Sequence, residues 1–469
     1  MPPAASRAAV FVLAAVLASA IGFDLWRVPV QVSDSLGEML AAQESPSVTQ
    51  SFRNALGATS YLRPLRIAQI KALFDLSQGN YRLAYRGFHV LLLVSLVLLF
   101  TRALRVESGV DAAAAAFALT VLIGLHTFLG FLREAFPINH FLEIAVLTLV
   151  AVNLTLSRGG VWADILAAIT FTCAALTLES GVLVWVVIVA GRLCGCRGVS
   201  TRGVVLVTAL LGGYFLLRFW YLDTGLPSLT ERSTGFLLER LEPSEIQKRF
   251  GDAPMVFYAY NVAASLLSVL FSEPREGVFV AVRAWMRDDV QPREYLAVLS
   301  SIGLTAVMGW AAIRWWRQDQ PLGRPERLAL IAVAVLLANA ALSFSYTKDD
   351  IVALAGVFYA LVAYAAMRTL LTSARAGGAV RALVVSVGLL VLASAWVMRA
   401  SGVHHVISEH AFRTRNDWAE LPMAWQREGR WPTRPEPLAV IERLRNDALD
   451  APVPNPQLAP EWRSRWYGD

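Results

Sequence analysis

A few charged residues at the edges of long apolar runs carry most of the chemistry this chain can offer. Asp34 stands one helical turn before Glu38, where a carboxylate either takes up a proton or caps the helix that follows. Arg63 precedes Pro64 and either holds the turn or offers a guanidinium to a ligand. Arg133 and Glu134 are neighbours that can pair with each other at a membrane surface, where such a pair contributes little. Glu179 lies in a turn between two apolar runs, too short to leave the interfacial zone, so it is expected to be buried against protein. Arg218 stands one turn from the end of a run and can snorkel. Lys348 is one of only three lysines beside 39 arginines; its compact ammonium either snorkels or binds phosphate as a point charge. His404, His405 and His410, with Glu409, share no helical face and match no metal-ligand spacing. The chain has no Gly-rich phosphate loop, no Ser-His-Asp grouping and no haem motif.

The elements that position these residues are hydrophobic. Of the 469 residues, 56% are hydrophobic and only 17% charged, too few charges to solvate a soluble surface of this size. Apolar runs long enough to cross about 30 Å of hydrocarbon recur along the chain. They fall at 7–25, 87–104, 112–130, 138–157, 161–178, 180–195, 203–222, 295–314, 327–345, 350–371 and 380–399, with a further stretch at 256–272. The expected fold is therefore an all-α polytopic membrane protein of 11–13 membrane helices. Asp24, Trp26 and Arg27 follow the first run in place of a small-residue cleavage site, which reads as a retained anchor.

Arginines set the orientation. Arg102, Arg105, Arg158, Arg192, Arg197 and Arg202 fall in alternate loops, as do Arg314, Arg317, Arg324, Arg327, Arg368, Arg375 and Arg381, and these loops are expected to be cytoplasmic. The net charge of +6 thus serves topology, and no nucleic-acid partner is expected. The N-terminus is then inside. Segments 26–86 and 223–293 and the tail 400–469 lie outside, the rest of 1–399 being one membrane domain. Parity requires an even number of crossings between 222 and 294. A re-entrant or surface-lying helix at 256–272 meets it without placing Arg283 in hydrocarbon. Short amphipathic helices are expected at 39–42 and 67–76, and the tail's tryptophans are expected to pack a small domain onto the membrane surface. Cys173, Cys194 and Cys196 offer no disulfide framework, and their one Cys-x-Cys is too weak for a metal site.

Tyr61, Arg63-Pro64-Leu65, Gly79 and the stretch Tyr85 to His89, running straight into the second span, resemble the first outer loop of the GT-C superfamily of membrane glycosyltransferases. The resemblance extends over about residues 8–372. It includes Leu178-Glu179-Ser180-Gly181, where the family has a short Lys-Glu turn, and Tyr214 to Arg218 before a variable loop. Tyr346 to Asp350 stands in the place of the family's basic-acidic outer turn. Ser33-Asp34 replaces the family's frequent acid pair, Leu178 replaces its lysine, and Arg133 to Pro137 with His140 and Glu143 stands where the family has His-Pro and Glu.

The resemblance implies transfer of a sugar from a polyprenyl-phosphate carrier to a glycan, lipid or protein acceptor, on the periplasmic side of a bacterial inner membrane. It implies Asp34 and Glu134 as the acids that deprotonate the acceptor or polarise it through a metal. Arg63, Arg133, Arg218 and Lys348, with Glu179, would form the phosphate-binding set. A divalent cation, Mg or Mn, is left open as cofactor. A polysaccharide polymerase or ligase would need a large outer loop late in the bundle, and a transporter would show repeats and broken helices. A catalytically inactive GT-C-like scaffold is the remaining alternative.

Overall fold

The computed structural model describes residues 2–57, 61–133, 136–223, 232–318, 321–376 and 378–467; Glu134 and the side chain of Arg381 lie outside them. The chain begins with α1 (Pro3–Arg27), then three short helices, α2 (Asp34–Glu44), α3 (Val48–Leu56) and α4 (Pro64–Ser77). The bundle continues through α5 (Tyr81–Leu104), α6 (Gly109–Gly124), α7 (His140–Thr155), α8 (Val161–Thr177), α9 (Leu183–Leu193) and α10 (Thr201–Phe215). A ribbon of β1 (Thr234–Phe236) and β2 (Glu239–Leu241) precedes α11 (Pro243–Phe250), α12 (Pro254–Phe271) and α13 (Val280–Met286). Then come α14 (Pro292–Trp316), α15 (Arg324–Leu342), α16 (Asp349–Ala376), α17 (Ala379–Arg427), α18 (Pro435–Leu449) and α19 (Glu461–Tyr467). This is an all-α polytopic membrane protein, 78% helical, with eight helices among the described residues long and apolar enough to cross a bilayer.

Local sequence sets many of the helix starts. Asn80, Ser108, Asn139 and Ser200 accept backbone N–H bonds at the heads of α5, α6, α7 and α10, satisfying donors that the helix leaves open. Prolines open α4, α12, α14 and α18, where the missing N–H costs nothing. The run expected at 112–130 breaks at Leu125, and residues 126–131 form a 3-10 turn. Gly124 there lies against the backbone of α17, leaving no room for a larger residue without displacement.

The arginine-rich loops converge on one end of the bundle. Arg324 donates to Leu156 O, Arg327 to Gly195 O and Arg192 to Thr201 Oγ1, while Arg368 pairs with Asp111 at 2.6 Å. The first loop gathers at the opposite end, called here the loop end. There Arg86 donates to Val28 O and Pro29 O, and Tyr85 to Ile70 O. The innermost helix is α16, rich in small side chains that permit close packing. Its Gly356 faces Thr127 so closely that a Cβ would stand 2.4 Å from the Thr127 hydroxyl.

Helix α12 makes side-chain hydrogen bonds from Asn261 onward. Asn261 donates to Phe344 O, Ser265 bonds Thr347, Ser268 bonds His126 and Ser272 bonds Ser301. Spacings of four, three and four residues put these groups on one helical face. Every partner but Ser301 lies in a turn at the loop end, and Ser301 is held there by Arg399, level with Gly124. Helix α12 is also one of the eight helices among the described residues long and apolar enough to cross a bilayer.

The last span differs from expectation. Its helix does not stop at 399 but runs on as α17 for 49 residues, with Pro422 inside it. The extension is held by the first loop: buried Trp418 donates its indole N–H to Val30 O at 2.6 Å. Leu36, Met39, Ile70 and Tyr85 join Trp418, Leu421 and Ile441 in a second apolar core. Each such side chain contributes about 1.5–3 kcal/mol on burial, so first loop and tail form one folded layer. His404 pairs with Asp24, His405 with Glu409 and His410 with Gln31, so the three histidines face separate partners.

Candidate functional site

The site begins at the head of α4. Arg63 is the residue before the helix, and its guanidinium reaches across to Glu179 in the turn between α8 and α9. Nη2 donates to Oε2 at 2.6 Å and Nε lies 3.0 and 3.2 Å from the two carboxylate oxygens, a forked charge-assisted contact. Gly181 lets that turn lie tight on α8, since a Cβ there would stand 2.2 Å from Ala174 backbone atoms. Helix α10 ends in a π-helical turn, Leu216–Tyr221, which carries Arg218 to 3.6 Å from Glu179 while Arg218 donates to the Tyr214 hydroxyl at 3.0 Å. Burial alone would raise the Glu179 pKa. The adjoining Arg63 and Arg218 outweigh it and hold the carboxyl below its usual range.

One turn along α4, Arg66 donates to Glu38 Oε1 at 3.1 Å and lies 3.5 Å over the Phe136 ring. Arg63 stacks in the same way over Tyr61, at 4.2 Å. Burial pulls the Arg66 pKa down to about 10, with Arg63 adding and Glu38, Glu179 and Asp34 opposing, so its charge persists at neutral pH. These residues help to wall a cavity of about 420 Å³ lined by the first loop together with Phe136 and Arg232. Its charged lining is Glu38, Arg63, Arg66 and Arg232, three cations against one anion. That balance favours an anionic ligand, and the two aromatic rings offer flat apolar contact beside it.

A second polar group forms around the turn before α16. Lys348 contacts Asp350 at 2.5 Å; burial would lower its pKa, and Asp350 more than reverses that, keeping the ammonium charged. Asp349 accepts the backbone N–H of Glu276 and lies 3.7 Å from His126. Burial lowers the Arg133 pKa, with Arg413 adding to it, against Asp350, Asp349 and Glu276. Arg232 links the two groups, donating to the Tyr346 hydroxyl at 2.7 Å while lining the cavity.

Arg63, Glu179 and Arg218 therefore share one network, whereas Lys348 and Arg133 belong to the neighbouring one. Asp34 is exposed at the first position of α2 and is not among the cavity's lining residues, though its charge reaches Arg66. Glu134 lies outside the described residues. Glu38 and Arg66 are the functional candidates that sequence spacing alone passed over. Both had a signal, standing one turn from Asp34 and from Arg63, while Arg232 had none. Among the described residues no group of three His, Cys, Asp or Glu side chains is arranged to hold a metal ion. No protein-family model, curated protein or solved structure matches this chain.

Proposed function

We propose that this protein is a GT-C-like glycosyltransferase of a bacterial inner membrane, with its loop end in the periplasm. The donor is a sugar on a polyprenyl phosphate and the acceptor a hydroxyl of a glycan, lipid or protein. One observation carries the reading: three guanidinium groups and one carboxylate line a cavity within the loop layer. The donor's phosphate sits against Arg63 and Arg66, and its prenyl tail lies along the apolar helices. The acceptor oxygen attacks the anomeric carbon, its proton passing to a carboxylate. The bond from that carbon to the phosphate oxygen breaks with its electron pair leaving on the phosphate. Fixed cations lower the barrier because negative charge builds on the leaving oxygen.

Asp34 takes the proton in this account. Glu38 is engaged by Arg66, whereas Asp34 forms no ion pair among the described residues and is exposed. Glu179 positions Arg63 and Arg218. A second reading, an inactive scaffold of the same fold, draws on Asp34 lying outside the cavity wall. Sugar transfer by proteoliposomes loaded with polyprenyl-phosphate hexose or pentose decides between the two. The enzyme reading expects product from wild type and none from Asp34→Ala at equal membrane abundance; unchanged transfer by that variant removes the mechanism.

A further inference from the structure

A second recess, of about 90 Å³, lies at the loop end among α6, α14, α17 and α19. Its wall contains Arg275, Arg293 and Arg399, together with His126, and no Asp or Glu. The hydrogen-bond partners of Arg399 are all neutral oxygens: Ala297 O at 3.0 Å and the hydroxyls of Ser272, Ser300 and Ser301 at 2.9 Å. Its guanidinium lies 4.0 Å over the Trp396 ring. Arg293 is matched by Glu294 at 3.2 Å, and His126 lies 3.7 Å from Asp349. Two buried nitrogens of this wall, Arg275 Nε and His126 Nδ1, have no hydrogen-bond partner among the described residues, and the His126 side chain is only 9% exposed. Arg275 Nε is a donor, and an unmade bond on a buried donor costs about 1–3 kcal/mol, so the wall offers it to an acceptor that the described residues do not supply.

We propose that this recess is an anion site sized for a single phosphate group, separate from the cavity at Arg63. Three clustered guanidinium groups, the orphaned Arg275 Nε and the small volume point to that chemistry. Below it α14 and α17 present exposed apolar side chains, Leu299 and Ile302 on one and Val397 on the other, which face hydrocarbon in a membrane. The recess therefore lies at headgroup depth. A lipid phosphate reaches it from the side, and free phosphate reaches it from the water. The inference is independent of the glycosyl-transfer reading.

The test is thermal unfolding of the full chain in neutral detergent, titrated separately with phosphatidylglycerol, with diacylglycerol, which lacks the phosphate, and with inorganic phosphate. A saturable rise in midpoint with phosphatidylglycerol alone assigns the site to a lipid headgroup, and a rise with inorganic phosphate assigns it to the free ion. Arg275→Gln removes one charged partner and raises the half-saturating concentration about tenfold or more, with Arg232→Gln as the control at the other cavity. Absence of a saturable rise with either phosphate compound overturns the proposal. Equal binding by wild type and Arg275→Gln does so too.

Discussion

Arg63, at the head of α4, and Arg218, in the last turn of α10, meet on a single carboxylate, Glu179, at 2.6 and 3.6 Å. Remove its charge and two guanidinium groups face each other in a site where Arg63 is 19% exposed and Arg218 only 6%. Surface pairs are worth about 0–1 kcal/mol and breaking buried ones costs about 3–5 kcal/mol. Glu179→Gln is expected between these limits, at about 1–3 kcal/mol of lost stability. Unfolding in detergent checks this, and an unchanged midpoint would show that the carboxylate does not organise the site.

The same carboxylate carries a pH signature. Its pKa in the fold is held below the ordinary 4.5, so its contribution is fully present above that value and is lost as pH falls through the folded value. Wild type should lose stability between neutral pH and about pH 3 more steeply than Glu179→Gln. Parallel pH profiles for the two proteins would contradict the assignment.

Trp418 ties the tail to the first loop through Val30 O and a shared apolar core. Trp418→Ala is expected to cost about 3–5 kcal/mol within this layer. Hydrogen exchange should then rise together in residues 34–44 and 435–449 while the bundle stays protected. Faster exchange in the tail alone would mean that the two segments are not one unit.

The arginine pattern and parity predict that α12 starts and ends on one side of the membrane. In a protein freed of its native cysteines, Met255→Cys and Trp285→Cys should be labelled from the same side of the membrane, and Trp316→Cys from the other. All three native side chains are exposed. Opposite labelling of the first two positions would make α12 a full crossing.

Most spans were legible because an apolar run in lipid has one solution, a helix that satisfies its own backbone. The length of α17 was not, since residues beyond 399 are polar and their helix depends on Trp418 meeting a distant loop. Nor was α3, a nine-residue helix started by the Ser47 cap. At the site, residue types at Arg63, Glu179 and Arg218 were readable but their shared contact was not. It arises from the packing of three separate helix ends, which no local spacing encodes.

Binding of a fluorescent polyprenyl phosphate to the purified protein tests the cavity most directly. Wild type is expected to bind it saturably, and Arg66→Ala, which removes a cation while leaving the Arg63–Glu179 pair in place, to bind it about tenfold or more weakly. Equal affinity in the two proteins would mean that the carrier phosphate does not sit against these arginines, and the glycosyl-transfer account would lose its footing.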